Sequence, residues 1–161
     1  MSEPDTLSPT SPSSLDDVLD RERVIDTLTA LFLATDRKDW PAVEACFAPT
    51  VQFDMSSVGA GPASSKRPGE IADGWRTGLA PLEHVHHQAG NFVVRVNGDR
   101  ADAFCYGIAY HFKTRNDGRN TRVFVGNYDY QLARTGVSWR ISAMRFTLKF
   151  LDGNPQLEAL E

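Results

Sequence analysis

The sequence predicts an α+β fold, because helical and strand patterns occupy separate parts of the chain. Apolar residues recur at helical spacing between Leu15 and Phe32, whereas the second half of the chain alternates between apolar and polar residues. Four such alternating or β-rich segments cover residues 84–96, 100–113, 121–134 and 138–150. Turn signals between them begin at Asn97, Asn116 and Thr135, and this spacing predicts a four-strand antiparallel meander.

The first half is predicted to hold three helices and one short strand. Ser14 or Asp16 can cap a first helix that continues to about residue 37. Pro41 lies in the first turn of a second helix, where proline is tolerated, and that helix is predicted to end near Ala48-Pro49. The other predicted elements are a strand at 51–54, a loop at 56–68 long enough to form a mouth or lid, and a helix over 71–79.

Length, charge and composition restrict the class of protein. The 161 residues suit one domain over 15–161, preceded by a Pro- and Ser-rich segment, 1–14, that is predicted to be a disordered tail. A formal net charge of −4 disfavours general binding to nucleic acid or to anionic membranes. No apolar run approaches the ~20 residues of a membrane span, and the N-terminus lacks a signal-peptide pattern, so we expect a cytoplasmic protein. Cys46 and Cys105 are then expected to be reduced, buried thiols.

Asp36 is the first candidate functional residue. It follows Phe32 by four positions, which places its carboxylate on the apolar face of the first helix. A carboxylate directed at a core needs a partner or a function. The alternative is a residue at the end of the helix that turns out to solvent.

The run from His84 to His87 contains three histidines with different expected surroundings. Alternation along a strand puts His84 and His86 on one face and His87 on the other. Two histidines at this spacing can begin a metal site, but no cysteine or carboxylate cluster completes one by spacing. We therefore expect no metal here, and we expect His84 and His86 to be surface or strand-end residues.

The strand over 101–112 has one face of small residues and one of bulky residues. Ala101, Ala103, Cys105, Gly107 and Ala109 leave room beside them, and His111 ends this small face. The bulky faces of this strand and the two that follow predict either self-association or core packing. Those bulky faces carry Tyr106, Ile108, Tyr110, Phe124, Tyr128 and Phe146. In the next strand, Val123, Val125 and Asn127 share a face, and a buried Asn127 would need a hydrogen-bond partner.

Several segments together resemble the SnoaL-like family of the nuclear-transport-factor-2-like superfamily. The resemblance covers about residues 16–152. It is carried by 34–40 (ATDRKDW), 47–54 (FAPTVQFD), 87–92 (HQAGNF), 97–101 (NGDRA), 127–130 (NYDY) and 136–141 (GVSWRI). It implies a cone-shaped α+β barrel, in which a curved, mostly antiparallel sheet has three helices packed on its concave side. The superfamily includes dehydratases, isomerases, cyclases, dehydrochlorinases and non-catalytic binding proteins.

Among these enzymes, scytalone dehydratase is the nearest catalytic resemblance. The resemblance places a catalytic aspartate at Asp36, catalytic histidines at His87 and His111, and a substrate-binding asparagine at Asn127. Two tyrosines of that enzyme correspond to Thr35 and Met55 in this chain, and neither residue can hold a water on a carbonyl as tyrosine does. The expected walls of the substrate pocket are Phe53, Met55, Val123, Val125 and Met144.

The reaction that this resemblance implies is proton removal from carbon by an Asp36–His87 pair in an apolar pocket. His111 would protonate a leaving hydroxyl or hold an oxyanion, and Asn127 would orient the substrate. The expected class is a cofactor-independent lyase, dehydratase-like, acting on a small hydrophobic organic substrate. A polyketide-type cyclase or isomerase and a non-catalytic binding or accessory protein are the alternatives. We also expect a homo-dimer or homo-trimer.

Overall fold

The computed structural model describes residues 11–116 and 118–159. The predicted disordered tail therefore falls mainly on 1–10, outside the described residues. Three α-helices are present in the described part, and a single turn of 3-10 helix covers Ser56–Val58. The α-helices are α1 (Leu15–Asp36), α2 (Trp40–Ala45) and α3 (Pro68–Leu79). None of these described helices is long and apolar enough to cross a membrane.

Six strands form one curved, unclosed sheet in the order β2-β1-β6-β5-β4-β3. They are β1 (Phe47–Asp54), β2 (Ser64–Lys66), β3 (His84–Asn97), β4 (Arg100–Phe112), β5 (Thr121–Thr135) and β6 (Ser138–Gly153). The pairing is antiparallel throughout except between β1 and β6, which run parallel. The predicted α+β class and the four-strand meander are confirmed.

Two local predictions in the first half were wrong. The second helix ends at Ala45, and Phe47 to Pro49 already belong to β1, because Phe47 pairs with Ile141 of β6. The segment predicted as a plain loop contains the 3-10 turn and β2, which adds an edge strand to β1. In both cases pairing with a distant part of the chain decides the local structure, and a short window of sequence does not contain that pairing partner.

Helix α1 is built to lie on the concave face of the sheet. Its N-terminus is capped by Ser14, whose hydroxyl accepts from the Asp17 N–H at 3.1 Å. Its apolar stripe is buried at Val24, Leu28 and Leu31. These contacts place the C-terminal end of α1 beside β3, where Asp36 is the last helical residue.

A buried ion pair fixes the other end of α1. The Asp20 carboxylate accepts two hydrogen bonds from the Arg134 guanidinium of β5, at 2.9 and 2.7 Å. This fork holds the pKa of Asp20 at about 2, below its ordinary value. The guanidinium also lies 4.5 Å over the ring of Trp139, so α1, β5 and β6 are joined at this point. The helix is therefore anchored at both ends, which keeps Asp36 in a defined position.

The small face of β4 points inward, where aromatic rings fill part of the space beside it. A Cβ added at Gly107 would lie 2.2 Å from the ring of Tyr128, so this glycine makes room for that tyrosine. Tyr128, Phe124 and Phe146 all face the interior, which settles their role as packing residues rather than as surface. On the outer face, Tyr106 and Tyr110 are exposed, and self-association through that face stays a prediction.

Both cysteines are unpaired and buried, as the sequence predicted for their location in the fold. Burial raises the pKa of the Cys105 thiol to about 12 and also raises the pKa of Cys46. Such thiols stay protonated, so they act as small core residues.

Candidate active site

A cavity of about 430 Å³ opens between the helices and the concave face of the sheet. This volume lies in the range of pockets that bind small organic molecules. Much of its wall is apolar, and the larger side chains there are Leu31, Phe32, Trp75, Phe124, Phe146 and Leu151. Three nitrogen-bearing side chains face it from neighbouring strands: His87 of β3, His111 of β4 and Arg122 of β5. Thr35 of α1 and Tyr128 of β5 also line it.

Asp36 and His87 form a close pair across the junction of α1 and β3. The Asp36 carboxylate lies 2.6 Å from Nδ1 of His87, and it also accepts from the backbone N–H of His87 at 3.0 and 3.1 Å. Both side chains are largely buried, with 15% and 13% of their surface exposed. The ring of His87 stacks on Phe32 at 5.5 Å between centroids. The imidazole is therefore held by its own backbone, by the Asp36 carboxylate and by the ring of Phe32.

The position of this pair follows from two features of the local structure. Strand β3 lies at the edge of the sheet and pairs only with β4, so the N–H of His87 is free to reach Asp36. Asp36 lies at the C-terminus of α1, where the helix dipole disfavours negative charge, and the donors from His87 compensate for that. A carboxylate can only accept, so Nδ1 carries a proton, and in the neutral imidazole Nε2 then presents a lone pair. Among the described residues, Nε2 has no hydrogen-bond partner and His87 lines the cavity.

His111 has the opposite kind of partner. Its Nδ1 lies 3.3 Å from a terminal nitrogen of Arg122, and its ring lies 5.1 Å from that of Phe124. A guanidinium can only donate, so Nδ1 must accept and the proton is carried by Nε2. The two cavity histidines are therefore held in opposite tautomers. His87 presents a base to the cavity, and His111 presents an N–H donor.

Burial keeps His111 neutral. Loss of hydration, followed by the positive charge of Arg122 and by His87, lowers the pKa of His111 from 6.5 to about 3. Protonated His111 is therefore absent near neutral pH, and this residue can donate a hydrogen bond but is poorly suited to release a proton. This favours the second of the two roles that the sequence suggested, which is to hold an oxyanion.

Acidification is expected to destabilise the fold through His111. Between about pH 6.5 and pH 3 the unfolded chain binds a proton at this side chain and the folded protein does not. The stability that depends on neutral His111 is therefore complete above pH 6.5 and is lost as the pH falls towards 3. From this group alone, the free energy of unfolding should fall with a slope approaching about 1.4 kcal/mol per pH unit.

Urea unfolding of the wild type and of His111→Gln across this pH range measures the effect, because the other titrating groups cancel in the difference. His84→Gln is the matched control, since His84 is exposed on the outer face. A constant difference in unfolding free energy between wild type and His111→Gln at all pH values would contradict a buried neutral His111.

The predicted substrate-binding residues, and Asp36 of the predicted catalytic pair, lie at different positions relative to the cavity. Met55 and Met144 line the cavity as expected. Phe53 is buried but lies outside the cavity wall. Its ring packs against that of Trp75, with 6.0 Å between the ring centroids. Asp36 also lies outside the wall and contacts the cavity only through His87, so it positions the base rather than touching a ligand.

Val123, Val125 and Asn127 need a correction, because they do not line the cavity. The register pairs His111 with Arg122 and Tyr106 with Asn127, so the even-numbered residues of β5 share the inner face with the odd-numbered residues of β4. Asn127 therefore lies on the outer face, and its Oδ1 is enclosed without a hydrogen-bond partner among the described residues. The sequence-based assignment placed the odd-numbered residues of both β4 and β5 on the inner face. The observed register places the even-numbered residues of β5 there instead.

Arg122, Trp75 and Tyr128 are among the cavity residues that were not predicted from the sequence. Arg122 is a cation on a mostly apolar strand face. The correct register, which pairs it with His111, would have shown that it faces the cavity. Trp75 of α3 closes one wall, which helical periodicity alone does not indicate. Tyr128 lines the cavity from β5, although the two positions that match tyrosines in scytalone dehydratase are Thr35 and Met55. The Thr35 hydroxyl is occupied by the Leu31 carbonyl at 2.8 Å, so it is not directed to a ligand.

The outer-face histidines are placed as predicted. His84 packs against Phe112 and His86 against Tyr110, while His87 lies on the inner face. His86 is 71% exposed on its side chain and lies 4.0 Å from the Asp36 carboxylate. Within 11–116 and 118–159, no three His, Cys, Asp or Glu side chains converge as metal ligands would.

The fold agrees with a match between most of the chain and a known protein family. Residues 16–145 match the SnoaL-like domain family, and the chain belongs to that family. No curated protein is a match for the sequence.

Solved structures with the same fold include proteins of different described activities. A proposed aromatic ring hydroxylase from Novosphingobium aromaticivorans is 24% identical with a TM-score of 0.76, covering 93% of this chain and 100% of that one. A proposed scytalone dehydratase from the same organism is 10% identical with a TM-score of 0.75, covering 86% and 89%. A hexachlorocyclohexane dehydrochlorinase from Novosphingobium barchaimii is 12% identical with a TM-score of 0.74, covering 92% and 99%. At these identities the likeness shows the shared fold.

Proposed function

We propose that this protein is a cofactor-independent lyase, dehydratase-like, that removes a proton from carbon in a small hydrophobic substrate. The observation that carries the proposal is the pair of cavity histidines in opposite tautomers. His87, backed by Asp36, offers a lone pair, and His111, backed by Arg122, offers an N–H. A base and a hydrogen-bond donor that face one apolar cavity suit the removal of a proton next to an oxygen-bearing carbon.

The proposed reaction can be written with the groups present. Nε2 of His87 takes a proton from carbon, and Asp36 stabilises the imidazolium that results. The negative charge that develops on a substrate oxygen is held by the Nε2–H of His111. In an elimination, the C–O bond to the leaving hydroxyl breaks, the C=C bond forms, and the imidazolium returns its proton to release water. In an isomerisation or cyclisation, the imidazolium, whose N–H exchanges with solvent, returns a proton to carbon instead.

The cavity suggests the kind of substrate. A volume of about 430 Å³ walled by aromatic and aliphatic side chains suits a molecule with one or more rings and few charges. The two histidines and Arg122 lie on the three strands β3, β4 and β5, so we expect the reacting part of the molecule to lie there. We therefore propose an apolar cyclic ketone or alcohol as the substrate class. From the sequence pattern we also propose a cytoplasmic location.

The proposal is tested with a panel of cyclic β-hydroxy ketones and their unsaturated isomers, incubated with the full chain in H₂O and in D₂O. Mass spectrometry separates the outcomes. A lyase lowers the mass of the substrate by one water. An isomerase or cyclase conserves the mass in H₂O and incorporates deuterium at carbon in D₂O. His87→Gln should abolish either signal, and Asp26→Asn, an exposed position on α1, should keep it. Binding without turnover or exchange, unchanged in His87→Gln, would overturn the proposal in favour of a ligand-binding protein.

A further inference from the structure

Arg122 is a charged side chain of the cavity wall that the proposed reaction does not use directly. Its side chain is only 13% exposed, although it carries a positive charge inside a largely apolar cavity. The guanidinium carbon lies 4.9 Å over the ring of Phe124, and one terminal nitrogen lies 3.3 Å from Nδ1 of His111. A buried cation of this kind needs compensation.

The compensation comes from the end of the chain. Glu158 contacts both terminal nitrogens of Arg122 with its carboxylate, one of them at 2.8 Å, and the Pro155 carbonyl accepts from one of them at 3.4 Å. The fork-to-carboxylate contact fixes the plane of the guanidinium, which a single contact would leave free to rotate. The orientation of Arg122 towards His111 therefore depends on a residue that lies 36 positions further along the chain.

The segment that carries Glu158 is itself anchored independently of the cavity. Leu157 is fully buried against Leu82 and Val85, in a small cluster separate from the main core. Arg115 donates to the Leu157 carbonyl at 3.2 Å, and the Asn154 N–H donates to the Thr121 carbonyl at 2.8 Å. These contacts make the position of Glu158 a property of the fold rather than of a loose terminus.

The charges around His111 point to one function for this arrangement. Arg122 of β5 donates to Nδ1, and Glu158 lies behind Arg122. His87, with its partner Asp36, lies beside His111 on the neighbouring strand β3. Because Arg122 has donors only, it is incompatible with a proton on Nδ1. Because Glu158 balances its charge, this end of the cavity has no strong net attraction for an anionic group.

We propose that Arg122, held in place by Glu158 of the C-terminal segment, is a positioning residue that keeps His111 as a neutral donor with its proton on Nε2. The role of that donor in turnover rests on the proposed function, but the tautomer itself does not. A consequence for the substrate is that His111 meets an uncharged carbonyl or hydroxyl oxygen, in preference to a carboxylate.

The test is a long-range ¹⁵N–¹H correlation spectrum of the full chain, which reports the tautomer of each imidazole directly. The chain has four histidines, and His111→Gln assigns the signal of interest by its loss. In the wild type, we expect His111 with its proton on Nε2 and no titration between pH 5 and pH 8. In Arg122→Met, we expect a mixture of tautomers and a titration midpoint higher by about 1–2 pH units.

Three further variants make the interpretation specific. Arg122→Lys retains a donor and should restore the Nε2–H tautomer, and Glu158→Gln should give an intermediate spectrum. Arg119→Met is the matched control, because Arg119 is an exposed arginine whose partner Asp152 is also exposed. Its spectrum should equal that of the wild type.

A proton on Nδ1 of His111 in the wild type would overturn the inference without any variant, as would an unchanged His111 signal in folded Arg122→Met. The spectrum needs no substrate, so the result is separable from the proposed function. If His111 has the expected tautomer but the chain turns over no compound in the panel, the proposed function is contradicted and the inference about Arg122 still holds.

Discussion

Asp36→Asn is expected to lower turnover by about 10²–10⁴-fold, which is the usual contribution of general acid–base catalysis. The amide can still accept one hydrogen bond, but it carries no charge to stabilise the imidazolium of His87. Its NH₂ group can also donate to Nδ1 of His87. That would put the ring proton on Nε2, so the nitrogen facing the substrate would no longer be a base. Asp36 does not line the cavity, so ligand affinity should change far less than turnover.

This prediction is measured as kcat with the substrate found in the panel, beside ligand affinity by calorimetry. Asp26→Asn is the control, because Asp26 is an exposed carboxylate on the same helix. The double variant Asp36→Asn with His87→Gln should be no slower than His87→Gln alone, since the two residues act as one unit. Full activity in Asp36→Asn would end the proposal that this pair is the base.

Gly126→Ala is expected to cause a large loss of stability from a single methyl group. Gly126 lies on β5 beside Gly107 of β4, and an added Cβ would lie 2.3 Å from the Thr147 carbonyl oxygen. It would also lie 2.6 Å from the ring of Phe146, which faces the cavity. The carbonyl belongs to the backbone of β6, so relief of this clash requires a shift between two paired strands. We expect a loss of about 3 kcal/mol in unfolding free energy.

Urea unfolding and thermal melts measure this prediction, and for a chain of this size the loss corresponds to a melting temperature lower by roughly 6–12 °C. Gly74→Ala is the matched control, and we expect it to raise the free energy of unfolding rather than lower it. Gly74 lies in α3, and a Cβ there would meet nothing within 4 Å. The added methyl group should therefore stabilise the helix by about 0.5–1 kcal/mol. Equal stability of Gly126→Ala and the wild type would show that β5 and β6 are not packed as tightly as this structure has them.

The candidate site was only partly accessible from the sequence. The position of Asp36 on the apolar face of α1 was visible from its spacing to Phe32, because helical periodicity is a local property. Its pairing with His87 came from the family resemblance, and the geometry now gives that pair a 2.6 Å contact. The role of Arg122 was not visible at all, since a lone arginine in a strand is most often a surface residue.

The sequence by itself determined the class of fold, the order of the α-helices and of the five strands other than β2, the four-strand meander and the division of the His84–His87 run between two faces. These follow from periodicities of 2 and 3.6 residues and from turn residues, which act over short stretches of chain. Only the tertiary structure decided which face of β5 meets the cavity, and it chose Arg122 and Tyr128 over Asn127. The same holds for Glu158, which reaches Arg122 from a remote part of the chain. The physical reason is that a shift of one residue in strand pairing reverses every side chain, and that register is set by packing between distant segments.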